Sequence, residues 1–400
     1  MNQTDRVAVV YGSPPGIGGL GHSVSGGISA VAAGGGHELF ALGPARPSVP
    51  WPLPGGTPSA TWIESPTVVQ PWMIGYTWLR WRGGQVASLR DSGIGRWAAG
   101  QLERIRPSAC YLFTQVALES LRWCHREGIP TVLDNPNGHI RNFQQVLEQE
   151  SRRWCGRKFH GHPSAAMVDR VEEEYHLATR IRVYSDWGKV SMLRFGVPEN
   201  KIHVLRQTVN LERFCPPGIR PSTEGPLRVC YVGSLDLRKG FVYLLKAIRA
   251  VGANRIQLSI AGATGDRDSA RLFARESAGL DLRAAPGDSL PVYQNSELLV
   301  VPTLEDGLPF VLVEGLACGL PVIVTSEAGA SECVRTGESG WVIPAGDVEV
   351  LAAALEQALS RRADLWQMGK TARAELERYA GPRQLGMLSD WFYSRASVHS

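Results

Sequence analysis

Residues 298–325 constrain the fold of this 400-residue chain more than any other stretch. Leu298-Leu-Val-Val301 is followed by Pro-Thr-Leu-Glu-Asp-Gly-Leu-Pro309, then by Phe310–Cys318, a Gly-Leu-Pro turn and Val322-Ile-Val-Thr325. The pattern reads as strand, acidic loop, helix, turn and second strand, which is a βαβ unit of a parallel sheet. Pro309 suits the first helical turn, where its missing N–H costs nothing. Asp306, Gly307 and Leu308 come just before it, so backbone amides and the positive helix end face whatever sits above. Such a terminus suits an anion, and a diphosphate fits it. Glu314, separated from Asp306 by seven residues, lies in an otherwise apolar run, Phe310 to Ala317. A carboxylate there needs polar partners, and sugar or ribose hydroxyls would serve.

The same alternation runs through the rest of the chain. Arg6–Tyr11, Glu38–Leu42, Cys110–Phe113, Pro130–Leu133 and Arg180–Tyr184 read as strands, with helical patterns over 22–33, 116–127 and 165–178. Residues 44–70 are Pro-rich and read as irregular. The Pro/Gly-rich 209–226 reads as an interdomain linker, after which Leu227–Val232 starts a second series with later strands at 257–260, 298–301 and 321–325. Four hundred residues exceed one comfortable core, so two domains are expected. They are 1–208 and 227–375, each a doubly wound α/β unit, with a final segment 376–400.

These residues resemble the retaining glycosyltransferases of family 4. The resemblance rests on the Asp306-x7-Glu314 pair in its strand–loop–helix and on Glu327-Ala-Gly-Ala-Ser-Glu…Gly-Trp-Val-Ile-Pro-Ala-Gly-Asp347 downstream. It covers roughly residues 165–375 well and the first 160 loosely. It implies a GT-B fold: two facing Rossmann-like domains with a cleft between them, and a last helix that packs back on the first domain. The family usually has Glu as the first acid; here Asp306 holds that position, and Glu305 beside it is the rival for the sugar contact. The resemblance implies that Glu314 takes ribose hydroxyls and Asp306 the hexose hydroxyls. It also implies no metal and no resident cofactor, the co-substrate being a nucleotide-diphosphate sugar.

Val232-Gly-Ser-Leu-Asp-Leu-Arg-Lys-Gly240 joins the first strand of the second series to its helix. Gly233 permits a tight turn, and Arg238 and Lys239 bring cations to a helix start, where a diphosphate is neutralised. Taken alone, the loop reads as a surface turn with two solvated cations; beside the 301–314 element at the carboxyl ends of neighbouring strands, it reads as a donor site. Ser234 stands where the family has Arg; Lys239 matches. Gly16-Ile-Gly-Gly-Leu-Gly21 is formally a dinucleotide fingerprint, but Ser13-Pro-Pro15 separates it from the strand and no acid ends the next strand, which counts against a nicotinamide enzyme. In the family such a loop leans over donor phosphates and acceptor, which makes Gly16, Gly18 and Gly19 candidates.

His139, in Asp134-Asn-Pro-Asn-Gly-His-Ile-Arg-Asn142, is the candidate catalytic histidine from the first domain, with Asp134 and Arg141 secondary. An exposed loop histidine is the plain alternative. Asp266-Arg-Asp268 looks like a metal motif without suitable flanks, His160-Gly-His162 lacks further ligands, and Ser185-Asp-Trp-Gly188 reads as capping or packing. Trp72–Arg82 holds three Trp, one Tyr and two Arg. It reads either as a packed loop or as a peripheral membrane contact for a lipid-linked acceptor.

Charge decides little beyond excluding nucleic acid. The net charge is +4, residues 1–210 contribute +6 and the rest −2, and no basic cluster interleaves with aromatics. No run of 18 apolar residues and no signal-like leader occur, so a cytoplasmic protein, at most at the inner membrane face, is expected. Seven scattered cysteines without CxxC read as reduced thiols. The expected activity is a retaining hexosyl transfer from a nucleotide-diphosphate sugar to a glycan, lipid-linked or small-molecule acceptor, in bacterial surface polysaccharide synthesis. Rivals are a GT-B epimerase or phosphorylase, and a non-catalytic nucleotide- or glycan-binding subunit.

Overall fold

The computed structural model describes residues 5–15, 18–47, 57–66, 83–156, 163–219, 223–285, 287–380 and 383–393. They divide into two compact units, one from residues up to 144, 163–208 and 383–393, the other from 145–156 and 209–380.

The first unit is built on a parallel sheet of β1 (Asp5–Val10), β2 (His37–Gly43), β3 (Thr61–Glu64), β4 (Ala109–Phe113), β5 (Thr131–Asp134), β6 (Arg180–Val183) and β7 (Ile202–Val204). Their order is β3-β2-β1-β4-β5-β6-β7. β1 pairs with β2 on one side and β4 on the other, Val7 lying opposite both Leu39 and Ala109. The central strands are near-continuous apolar runs because helices cover both faces; Ala8, Val9, Val10, Cys110, Tyr111 and Leu112 are fully buried. β3 falls inside the stretch read as irregular: four residues at a sheet edge carry too little pattern to stand out among prolines. The helix Gly18–Ala33 starts four residues ahead of the expected 22, so Gly18 and Gly19 lie in its first turn rather than in a loop. Gly16 is outside the described residues.

The C-terminal helix Arg383–Tyr393 belongs to this first unit and packs on Gly18–Ala33. Tyr393 Oη donates to the Val31 carbonyl at 2.7 Å, and the Arg180 guanidinium lies 5.4 Å from the Trp391 ring centre. The preceding helix, Leu365–Ala380, stays with the second unit.

The second unit repeats the plan with β8 (Leu227–Val232), β9 (Ile256–Ala261), β10 (Asp281–Ala284), β11 (Leu298–Val301), β12 (Val322–Thr325) and β13 (Gly340–Ile343). All its pairs are parallel, in the order β10-β9-β8-β11-β12-β13. Leu299, Val300, Leu312, Leu316, Val322 and Ile323 are at most 1% exposed, and each such side chain contributes roughly 1.5–3 kcal/mol of burial. Residues 209–219, expected as part of a linker, are bonded into this unit. Phe214 is buried against Tyr293, and Arg373 donates to the carbonyls of Phe214 and Leu211 at 2.7 and 3.3 Å. In both sheets the strand order reverses, at β1/β4 and at β8/β11, and open parallel sheets bind ligands outside the carboxyl ends of such neighbouring strands.

Candidate functional site

The loops following β8 and β11 lie side by side at the switch point of the second unit. After Val232 the chain turns at Gly233, whose φ of 128° is closed to ordinary side chains and whose Cβ position is open space. Ser234 Oγ donates to Asp236 Oδ2 at 2.6 Å, and Asp236 Oδ1 accepts from the Lys239 amide at 3.0 Å, capping the short 3-10 turn Leu237–Lys239. That turn ends on Gly240, φ 69°, where a Cβ would come within 1.9 Å of the Pro302 carbonyl oxygen. Only glycine lets the two loops approach this closely. Leu304 N and Thr303 Oγ1 both donate to the Arg238 carbonyl, at 2.8 and 3.2 Å, so the loops form one bonded layer.

Each of the two cations meets one of the two acids. Arg238 Nη1 donates to the Glu305 carbonyl at 2.7 Å and to its Oε2 at 3.2 Å. The Glu305 side chain is fully buried and that of Arg238 is 15% exposed. Burial opposes the charge on Arg238, but Asp306, Glu305 and Asp236 together outweigh it and raise its pKa further. Lys239 Nζ pairs with Asp306 Oδ2. Asp306 is pinned through its backbone: its amide donates to Glu327 O at 3.1 Å and its carbonyl accepts from Gly329 N at 2.8 Å. The two rival acids thus have different surroundings. Glu305 is fully buried against Arg238, and Asp306, also buried, meets Lys239.

The helix Phe310–Ala317 begins one residue later than expected. Pro309, at φ −68° and ψ 108°, is its cap residue. Gly307, Leu308 and Pro309 form the approach to this end. Glu314, 8% exposed, accepts from Tyr293 Oη at 2.8 Å. Burial pushes its carboxyl up to about 7, against the lowering influence of Tyr293, Arg213 and Ser289, while Asp288 adds to the rise. The anticipated polar partner of this acid therefore includes a protein hydroxyl, supplied by Tyr293 from the helix Leu290–Gln294.

In the first unit His139 is not an open loop residue. It is 2% exposed, stacked on Phe195 with ring centres 4.6 Å apart and tilted against Tyr175 at 5.0 Å. Its Nδ1 accepts from the Arg141 amide at 3.2 Å, and its own amide donates to Ser191 Oγ at 2.9 Å. Burial pulls the imidazole down to about 4, with Glu172 acting upward and Arg141 downward. The exposed-loop alternative is corrected accordingly: this packed, neutral ring lies at the start of the helix Ile140–Cys155. Asp134 is also buried, its Oδ2 accepting from Arg182 Nη1 at 3.0 Å and from the Tyr111 hydroxyl. Arg141 is spent on an exposed pair with Glu172.

The bland readings hold where the residues are described. Asp266 caps the helix Arg267–Ser277 through Ser269 N at 2.8 Å, and Ser185 caps Asp186–Arg194 through Gly188 N at 3.1 Å. No group of three or more His, Cys, Asp or Glu placed to hold a metal ion occurs among the described residues. His160, His162 and the whole of Trp72–Arg82 lie outside them. Among the described residues, no helix is long and apolar enough to cross a membrane. The sequence reading missed Tyr293 and the Glu305–Arg238 clasp, since both depend on side chains brought together by the fold, 21 and 67 residues apart.

Residues 226–361 match the family described as Glycosyl transferases group 1. Amylovoran biosynthesis glycosyltransferase AmsK of Erwinia amylovora is 28% identical over 208 residues, which is 46% of this chain and 49% of that protein. The chain spans about half the length of the curated relatives it matches. Sucrose-phosphate synthase from Thermosynechococcus elongatus superposes with a TM-score of 0.69 at 16% identity, over 99% of this chain and 100% of that one. Anabaena Alr3699/HepE in complex with UDP and glucose gives 0.69 at 13%, over 98% and 99%. At these identities the likeness is one of fold, with two Rossmann-like parallel sheets as in GT-B glycosyltransferases. The matched residues hold the β8–β13 unit and the Asp306-x7-Glu314 pair, so the likeness to the group 1 glycosyl transferases lies in the second unit.

Proposed function

We propose that this chain is a retaining glycosyltransferase that moves a hexose from a nucleotide-diphosphate sugar to a hydroxyl of a glycan or lipid-linked acceptor, in bacterial surface polysaccharide assembly. The observation that carries the reading is the bonded pair of loops at the β8/β11 switch point, with Lys239 and Asp306 facing each other and Glu314 on the helix behind. The amylovoran relative supports the biological setting, and a neighbour holding UDP and glucose supports the donor class.

In this reading the diphosphate lies against Gly233, Lys239 and the amides around Gly307–Pro309, where the helix dipole favours negative charge. Lys239 exchanges Asp306 for phosphate oxygens, which frees the Asp306 carboxylate to accept hexose hydroxyls. Glu314 takes the ribose hydroxyls. Arg238 touches no phosphate; it is a positioning residue that fixes Glu305 and hence the loop carrying Asp306. The anomeric carbon–oxygen bond breaks with its electron pair leaving on the diphosphate. The acceptor oxygen bonds to that carbon from the same face, and its proton passes to a departing phosphate oxygen. Catalysis then comes from placement and from stabilising the leaving charge, with no protein nucleophile.

Asp306→Ala and Glu314→Ala, assayed for sugar transfer, test the assignment, and turnover that survives both removes it. One observation favours a second reading, a nucleotide- or glycan-binding subunit without turnover: both loop cations already hold carboxylates. Nucleotide binding with no transfer to any glycan acceptor would establish that alternative.

A further inference from the structure

We infer that Cys215 and Cys318 form a thiol-oxidation site, joined by a peroxide into a disulfide that clamps the segment entering the second unit to the end of the helix carrying Glu314. The inference stands apart from the transferase reading and needs no nucleotide.

Two stretches of the second unit run side by side here. Arg373 Nη1 donates to the Phe214 carbonyl at 2.7 Å and to the Ala317 carbonyl at 2.5 Å, so the residues just before the two cysteines meet on one nitrogen. A Cβ placed on Gly319 would lie 3.1 Å from the Pro216 ring, so the residues just after them touch as well. Contact on both flanks sets Cys215 beside Cys318, the arrangement a disulfide requires of its two backbones. Gln294 Nε2 donates to the Cys215 carbonyl at 3.1 Å, and the Cys318 amide donates to the Glu314 carbonyl at 3.0 Å. Both stretches are thus held in register before any sulfur reacts.

The two thiols differ in exposure, and this orders the chemistry. Cys215 is half-buried and Cys318 is buried. Burial, with Glu314, Cys215 and Cys230 adding to it, pushes the Cys318 thiol well up, so Cys215 reacts first. Its sulfur attacks a peroxide oxygen, the O–O bond breaks with its electron pair leaving on the other oxygen as water, and a sulfenic acid remains. The Cys318 sulfur then attacks the Cys215 sulfur, and its proton departs with the sulfenic oxygen as a second water. Two thiols give up two electrons and the peroxide takes them. Cys230, the third sulfur of the neighbourhood, is fully buried and donates to the Leu298 carbonyl at 3.6 Å, which leaves Cys318 as the partner.

The clamp closes beside the residues that hold Glu314. Phe214 packs on Tyr293 with ring centres 6.2 Å apart, and Tyr293 donates to Glu314 at 2.8 Å. The cross-link also closes a loop of about 100 residues, which constrains the unfolded chain strongly.

Peptide mapping of the full chain after brief treatment with hydrogen peroxide, the remaining thiols being alkylated, tests the inference. The expected result is a Cys215–Cys318 disulfide peptide as the main cross-link, removed by dithiothreitol. Oxidation should raise the melting temperature of wild type by about 5–15 °C, the scale for a long closed loop, and leave those of Cys215→Ser and Cys318→Ala unchanged. Cys110 and Cys124, fully buried neighbours in the first unit, should stay reduced. Absence of the Cys215–Cys318 peptide, its formation no faster than that of a Cys110–Cys124 peptide, or its formation without a rise in melting temperature overturns the clamp.

Discussion

Glu314→Gln is the substitution whose consequence follows most directly from the structure. The carboxyl is 8% exposed and burial pushes it from 4.5 up to about 7. Between those values the folded chain keeps a proton that the unfolded chain has lost. The stabilisation is therefore fully present below pH 4.5, declines as pH rises, and is gone above about 7. A carboxyl that ionises near 7 rather than 4.5 costs the folded state about 3 kcal/mol once charged. Gln at the same position still accepts from Tyr293 and carries no such cost, so its own contribution is the same at every pH and its difference from wild type is not. Glu174 is also pushed up to about 7 and slopes the same way, which makes the difference between the two proteins, not either curve alone, the diagnostic quantity. Urea unfolding at intervals from pH 4.5 to 8.5 measures it. The stability of Glu314→Gln relative to wild type should rise by about 3 kcal/mol across that range. Parallel curves would show that Glu314 is an ordinary solvated acid, and the ribose-facing assignment would lose its physical basis.

Two further substitutions separate packing from chemistry. His139→Ala should cost about 2–4 kcal/mol in denaturant unfolding by emptying the space between Phe195 and Tyr175, with transfer activity retained below the new melting point; normal stability with lost turnover would restore a catalytic histidine. Arg238→Ala strands the fully buried Glu305 carboxylate and should destabilise the chain by about 3–5 kcal/mol in the same assay, where a loss below about 1 would show that Arg238 is a phosphate ligand rather than a clasp.

The sequence carried the alternation of strands and helices, because central parallel strands such as Leu298–Val301 must be apolar on both faces. It carried the Asp306-x7-Glu314 element for the same reason, since an acid inside Phe310–Ala317 stands out against a buried run. Thr61–Glu64 and Asp281–Ala284 were not legible: short edge strands are half exposed and have little pattern to offer. The pairing of Arg238 with Glu305 and of Tyr293 with Glu314 was also out of reach. The first joins the loops after β8 and β11, 67 residues apart, and the second joins the helices on either side of β11, 21 residues apart. The burial of His139 was not legible because the polar text around it, Asn-Pro-Asn-Gly, resembles an exposed loop. What buries the ring is Phe195 and Tyr175, which arrive from later helices.

The central claim is that the second unit holds a nucleotide-diphosphate sugar at the β8/β11 loops. Thermal unfolding of the full chain with UDP, GDP, ADP and their hexose conjugates tests it most directly, since a ligand at 100 times its Kd adds about 2.7 kcal/mol to the folded state. One nucleotide family should raise the melting point, with the sugar conjugate adding to the shift in wild type and adding nothing in Asp306→Ala. No shift with any nucleotide diphosphate, or a sugar-dependent shift unchanged in Asp306→Ala, would contradict the account.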